Sequence, residues 1–177
     1  NLNNNWVIER LYWNKCLQID SLKPGPGRYV LQTVHEPYNF PKGKNVLVIG
    51  ASDLEGLTAG VEDFVARIPQ GPEFVLEEPL LFVSGATPLD QAARENLLAQ
   101  EPDIHALRRF WENVVRYRDT GDLAYAENAK RILLFCGERF QENPRYHVTW
   151  PEETTSNMLG AMWDVLEEAP VFTDAER

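Results

Sequence analysis

The residues with the most chemical potential sit close together between Asn143 and Asn157, where Tyr146, His147, Trp150, Glu152, Glu153 and Asn157 share one polar and aromatic stretch. An indole can stack on a sugar face, a histidine exchanges protons near neutral pH, and carboxylates serve as acid and base. Adjacent Glu152 and Glu153 make a poor glycosidase pair, because such carboxylates must flank the scissile bond from opposite sides. The alternative is structural: Trp150 plugs a helical layer and the two glutamates favour the N-terminus of the following helix. A second group is Arg108, Arg109, Arg116 and Arg118, suited to bidentate contact with a substrate carboxylate, although such residues more often form a solvated face paired with Glu112 and Asp119.

The remaining candidates are weaker. His35, His105 and His147 have no metal-ligand spacing to one another or to a carboxylate, and HExxH is missing, so no metal or other cofactor is expected. Gly50-ASDLE-Gly56 joins a strand to a helix, where backbone amides can hold a phosphate. Its spacing is neither GxGxxG nor GxxxxGK[ST], and no nucleotide is expected. Cys16 and Cys136 form no CxxC or CxxH motif and are too few for a disulfide scaffold.

The elements that must position these groups fall into two parts. Leu11–Asp20 is rich in strand formers, and Lys23-PGPG-Arg28 is a turn leading into a strand over Arg28–His35, apolar on both faces. Asn45–Gly50 is an uninterrupted apolar run that reads as a central strand. Ser52-x-x-Glu55 then opens a helix as a capping box, with Leu54, Leu57, Val61, Phe64, Val65 and Ile68 on one face and Pro69 at the end. Glu73–Val83 reads as extended structure crossing to the second part.

Everything after Pro88 has a helical pattern. Ile104, Leu107, Trp111, Val114 and Val115 form one stripe, and Leu123, Ala126, Ala129, Leu133, Cys136 and Phe140 another, with the turn Asp119–Asp122 between antiparallel neighbours. A third helix is expected over Thr154–Glu168, with Met158, Leu159, Met162, Val165 and Leu166 inward. The expected class is therefore α+β: a small α/β domain, residues 1–85, followed by antiparallel helical hairpins over residues 86–177.

The chain has 177 residues, 44% of them hydrophobic and 25% charged, the composition of a globular protein. Its 17 basic against 27 acidic residues argue against a nucleic-acid partner, and no apolar run is long enough to cross a bilayer. The first residue is not Met, and Thr173-x-x-Glu176 announces a helix just before the last residue, so the expectation is an internal piece whose partner is the remainder of a longer polypeptide.

Two tracts carry a resemblance. Tyr29-VLQTVHEPY-Tyr38 with Lys44-NVLVIGASDLEGLTAGVEDFV-Val65 resembles the small α/β domain that precedes the catalytic part of several polysaccharide-degrading enzymes. Tyr117-RDTGDLAYAENAKRILLF-Phe135 and Met162–Arg177 resemble the opening hairpins of the (α/α) toroid of heparinase-like polysaccharide lyases and some glycoside hydrolases. The resemblance implies a secreted or periplasmic carbohydrate-active enzyme acting on a polysaccharide, with an acidic, uronate-containing polymer cleaved by β-elimination as the leading possibility. A glycoside hydrolase on the same architecture, and a non-catalytic carbohydrate-binding or interaction module, are the alternatives. It also makes 154–168 an inner helix, so that Tyr146, His147, Trp150 and Asn157 become the expected substrate contacts. Catalytic residues are left unassigned, because a toroid draws them from several hairpins.

Overall fold

The computed structural model describes residues 5–37, 40–68, 80–102, 106–142, 160, 162–173 and 175–176. The protein is mixed α+β, a three-strand antiparallel sheet and six helices, about 51% helical. It divides into two compact units, Asn1–Ala86 and Thr87–Arg177.

The first unit opens with α1 (Trp6–Trp13), where a strand was expected from Leu11. Local capping decides the outcome. The Asn5 side chain accepts from the amides of Val7 and Ile8 at 3.1 and 3.3 Å. At the far end the Lys15 amide donates to the Tyr12 carbonyl and the Cys16 amide to the Leu11 carbonyl, both at 3.0 Å, with Lys15 at φ 66°. That is a complete Schellman closure, so aromatic residues favoured in strands are held in a helix. Leu11, Cys16 and Leu17 then build a core with Val34 and Val48, flanked by Val7, Ile8 and Ile19.

The sheet has the order β2-β1-β3, with β1 (Tyr29–Val34), β2 (Val46–Ala51) and β3 (Leu81–Val83). Leu31 pairs with Ile49 on one side and Phe82 on the other, both antiparallel. The apolar run of β2 was expected at the centre of the sheet. It lies at an edge, and β1, buried on both faces, takes the middle. Glu73–Val83 falls partly outside the described residues; its end, β3, does not cross away but pairs with β1 inside the first unit. Val34 and Val48 face α1, whereas Tyr29 and Ile49 face α2 (Leu54–Arg67). The sheet therefore carries a helix on each face, not the single helix expected.

The packing face of α2 also differs from expectation. Gly56, Gly60 and Phe64 are buried, while Leu54 is 77% and Val65 54% exposed, and Leu57 and Val61 are exposed too. The reason is close approach. A Cβ at Gly56 would fall onto the Arg28 carbonyl, and one at Gly60 would sit 3.0 Å from the Tyr29 side chain and 3.1 Å from Ile49 Cγ2. Two glycines one turn apart let the helix axis come nearer the sheet than any leucine stripe allows, and the apolar stripe turns outward. The Tyr29 hydroxyl donates to Asp63 at 2.9 Å, and Arg67 donates to the other Asp63 oxygen at 2.9 Å while lying over the Phe82 ring.

In the second unit α3 (Gln91–Ala99) is capped by Asp90, and α4 (Ala106–Thr120) and α5 (Leu123–Glu142) form an antiparallel hairpin across Gly121, φ 71°. Asp122 holds the turn: its carboxylate accepts from the amides of Leu89 and Ala124 at 2.7 and 2.9 Å. The buried face of α4 is Phe110, Asn113, Val114, Tyr117 and Arg118, one position off the stripe expected from Trp111 and Val115. On α5 the buried residues are Ala124, Tyr125, Ala126, Asn128, Ala129 and Ile132, while Leu123 lies exposed. The small alanines admit Phe110 and Tyr117, the large residues of the facing helix. Asn128 Nδ2 donates to Asn113 Oδ1 at 3.3 Å within this interface. Residues 162–166 are helical, with Met162, Val165 and Leu166 buried as expected. Met158 and Leu159 lie outside the described residues.

Candidate functional site

The expected substrate contacts Tyr146, His147, Trp150 and Asn157, with Glu152 and Glu153, lie outside the described residues, as does His105. The four arginines of α4 are described, and they do not converge. Arg108 pairs with Glu112 at 3.2 Å, Arg109 donates to the Glu101 carbonyl, Arg116 lies over the Tyr125 ring, and buried Arg118 pairs with Asp119 at 2.9 Å. Arg108 and Arg118 thus follow the ion-paired alternative, with Glu112 and Asp119, while Arg109 and Arg116 engage a carbonyl and a ring instead.

Tyr117 is buried in this hairpin, and burial, reinforced by the Glu168 charge, pushes its hydroxyl up to about 12. A phenol held protonated so firmly is a poor proton acceptor at neutral pH. Burial also raises the Cys136 thiol. Among the described residues no group of three His, Cys, Asp or Glu side chains is placed to hold a metal ion, and no helix is long and apolar enough to cross a membrane.

The Gly50–Gly56 turn is occupied by the chain itself. Helix α2 starts at Asp53 and not at Ser52: Asp53 Oδ1 accepts from the Gly56 amide at 2.8 Å and Oδ2 from the Gly27 amide at 2.9 Å. The Ser52 hydroxyl accepts from the Gly25 amide at 2.9 Å. Ser and Asp are both strong caps, and the residue nearer the helix wins while its neighbour ties down the Pro-Gly-Pro-Gly loop. The Gly56 and Gly27 amides hold the Asp53 carboxyl below its usual range. A phosphate entering here would have to displace an ionised carboxylate already on those amides.

The outward face of α1 is a different kind of place. Leu11 points into the core, and the seven-residue interval puts Trp6 and Trp13 on the opposite side of the helix, in line and about 10.5 Å apart along its axis. They are 59% and 67% exposed. Trp6 rests one ring face on Phe40, at 5.7 Å between centroids and 20° between planes, which fixes its orientation. Trp13 is held edge-on by Tyr12, with Lys15 Nζ 5.8 Å from its ring centre. Arg10, also exposed, lies between them. An amphipathic helix ordinarily shows charged residues on that side, and here two exposed indoles stand there instead. The expectation of a strand hid this face; Asn5 as a cap and the seven-residue Trp spacing were the signals that reveal it.

No family model, curated protein or solved structure matches the chain.

Proposed function

We propose that this chain is part of a carbohydrate-active enzyme that degrades an acidic, uronate-containing polysaccharide by β-elimination. The observation that carries the carbohydrate assignment is the pair of exposed indoles on α1, one stacked on Phe40 and the other with Lys15 over its ring, since flat aromatic faces suit the C–H face of a sugar ring and a nearby cation suits its carboxylate. The resemblance of residues 117–135 and 162–177 to toroid hairpins supports the lyase class, and the antiparallel α4–α5 hairpin is compatible with such an architecture. In the reaction a Tyr or His base removes the C5 proton of the uronate. The C4–O bond breaks as a C4=C5 double bond forms, the leaving oxygen takes a proton from that base or a second acid, and Asn, Arg or His groups hold the carboxylate. Those groups belong to the complete toroid, with Tyr146, His147, Trp150 and Asn157 as this chain's substrate contacts.

The deciding experiment incubates the complete protein with a polyuronate and follows ultraviolet absorbance together with reducing ends. Absorbance of an unsaturated uronate rising with reducing ends is the expected result. Reducing ends without absorbance mean a hydrolase; binding without either means a non-catalytic module. Failure to bind or cleave any polysaccharide refutes the carbohydrate assignment.

A further inference from the structure

Resting on the carbohydrate reading, we infer that the outward face of α1, Trp6 and Trp13 with Arg10 and Lys15, is a two-platform strip that holds an extended, carboxylated sugar chain. The platforms are in line, and the roughly 10.5 Å between them along the helix is a span that a disaccharide fills, so consecutive even-numbered rings of one chain reach both. Their orientation is built in: Phe40 backs one face of Trp6 and leaves the other to solvent.

Charge selects the ligand. The first fifty residues carry six Lys and Arg against three Asp and Glu, although the whole chain carries 17 against 27. The acidic chain thus opens with a stretch of net positive sequence, and Arg10 and Lys15, against the single Glu9 of α1, leave this helix and its closing residue with a net positive charge. Lys15 is the more telling, because it occupies the left-handed closing position of α1, where glycine is the ordinary choice. A lysine accepted there at a conformational cost brings an ammonium beside Trp13. An indole with a cation 5.8 Å from its ring centre matches a sugar ring bearing a carboxylate better than a neutral ring, and better than an acidic peptide with no ring to stack.

The test uses the full chain and measures binding of a galacturonate hexamer, a galacturonate dimer, cellohexaose and polyglutamate. The hexamer is expected to bind best, the dimer at least tenfold more weakly because it cannot span both indoles. Trp6→Ala and Trp13→Ala should each weaken the hexamer about tenfold, the scale of losing one buried aromatic face. Arg10→Glu should weaken the hexamer at low salt and leave cellohexaose unchanged. Circular dichroism melts accompany each variant, and Trp6→Phe, which keeps a ring on Phe40, should retain most of the binding. Hexamer binding that survives both alanine substitutions overturns the strip while leaving the polysaccharide reading intact. Absence of binding to every sugar removes both. Equal binding of polyglutamate reduces the face to non-specific charge and overturns the inference. So does a wild-type dimer that Trp13→Ala converts to monomer, which would make the face a protein interface.

Discussion

Replacing Gly56 by alanine tests the close approach of α2 to the sheet. In an exposed helix interior the same change is favourable by about 1 kcal/mol, because alanine restricts the unfolded chain and is the best helix former. At Gly56 the new methyl meets the Arg28 carbonyl oxygen, carbon and amide nitrogen, all backbone atoms of the residue that leads into β1. No side chain can rotate away, so the helix must lift. Overpacking of this kind costs about 1–3 kcal/mol, with the rigid backbone placing this site at the upper end, and the net loss is about 2 kcal/mol. For a unit the size of Asn1–Ala86 that lowers the melting temperature by roughly 8–16 °C. Gly137 is the control, since a Cβ there meets nothing within 4 Å and α5 is exposed at that point. Gly137→Ala should stabilise by about 0.5–1 kcal/mol. Hydrogen exchange read separately at β1–β2 and at α5 distinguishes the two units. A Gly56→Ala protein whose β1 amides are as protected as wild type would refute the close-approach account of α2.

Three further outcomes follow from the geometry. Lys15→Gly should raise stability by about 0.5–1 kcal/mol in chemical denaturation, by relieving the left-handed backbone, while weakening acidic-sugar binding at low salt; a loss of stability would show that the lysine side chain matters more than its backbone. Lys130 and then the Thr173 amide and hydroxyl hold Glu176 down to about 2, so its contribution to stability is complete above the ordinary carboxyl range near 4.5 and disappears as pH falls toward 2. Glu176→Gln should flatten that acid limb in melts taken from pH 6 downward. Tyr117 has the opposite sign: its folded value near 12 lies above the unfolded 10, so stability falls as pH rises between them, and Tyr117→Phe should remove that alkaline loss in denaturation series at pH 9 to 12.

Several elements were legible from local sequence. The alternation in Tyr29–Val34, the apolar run ending at Ala51 and the Ser-Asp pair after it specify two strands and a helix start, because each depends on a few neighbouring residues. Faces were less legible. Hydrophobic periodicity points to Leu57, Val61 and Val65 on α2, but the sheet selects the side with the smallest residues, and that preference depends on how near β1 and β2 lie. The same effect displaces the α4 stripe, whose large residues meet alanines that only the partner helix supplies. The order β2-β1-β3 was hidden for a similar reason: an apolar run says that a strand is buried, not which neighbour it has. For the site, the polar loop around His147 is read from sequence alone, since it lies outside the described residues. The α1 face was missed because Trp, Tyr and Leu read as strand formers until their caps are counted.

The amide pair between Asn113 and Asn128 sets the alignment of its hairpin. An alanine-lined helix offers nearly equivalent seats one turn apart, so packing alone leaves α5 able to slide along α4. Sliding by a turn would take Asn128 Nδ2 away from its acceptor, Asn113 Oδ1, within an apolar seam, while Asn113 Nδ2 keeps its bond to the Arg109 carbonyl inside α4 at 2.6 Å. The pair thus acts as a key that admits one translation of the two helices and rejects its neighbours, as a single buried polar residue does in a coiled coil. Two leucines in these positions would give a hairpin that is stickier and less certain of its own length. The hairpin therefore fixes from within itself where the end of α4 stands against the start of α5.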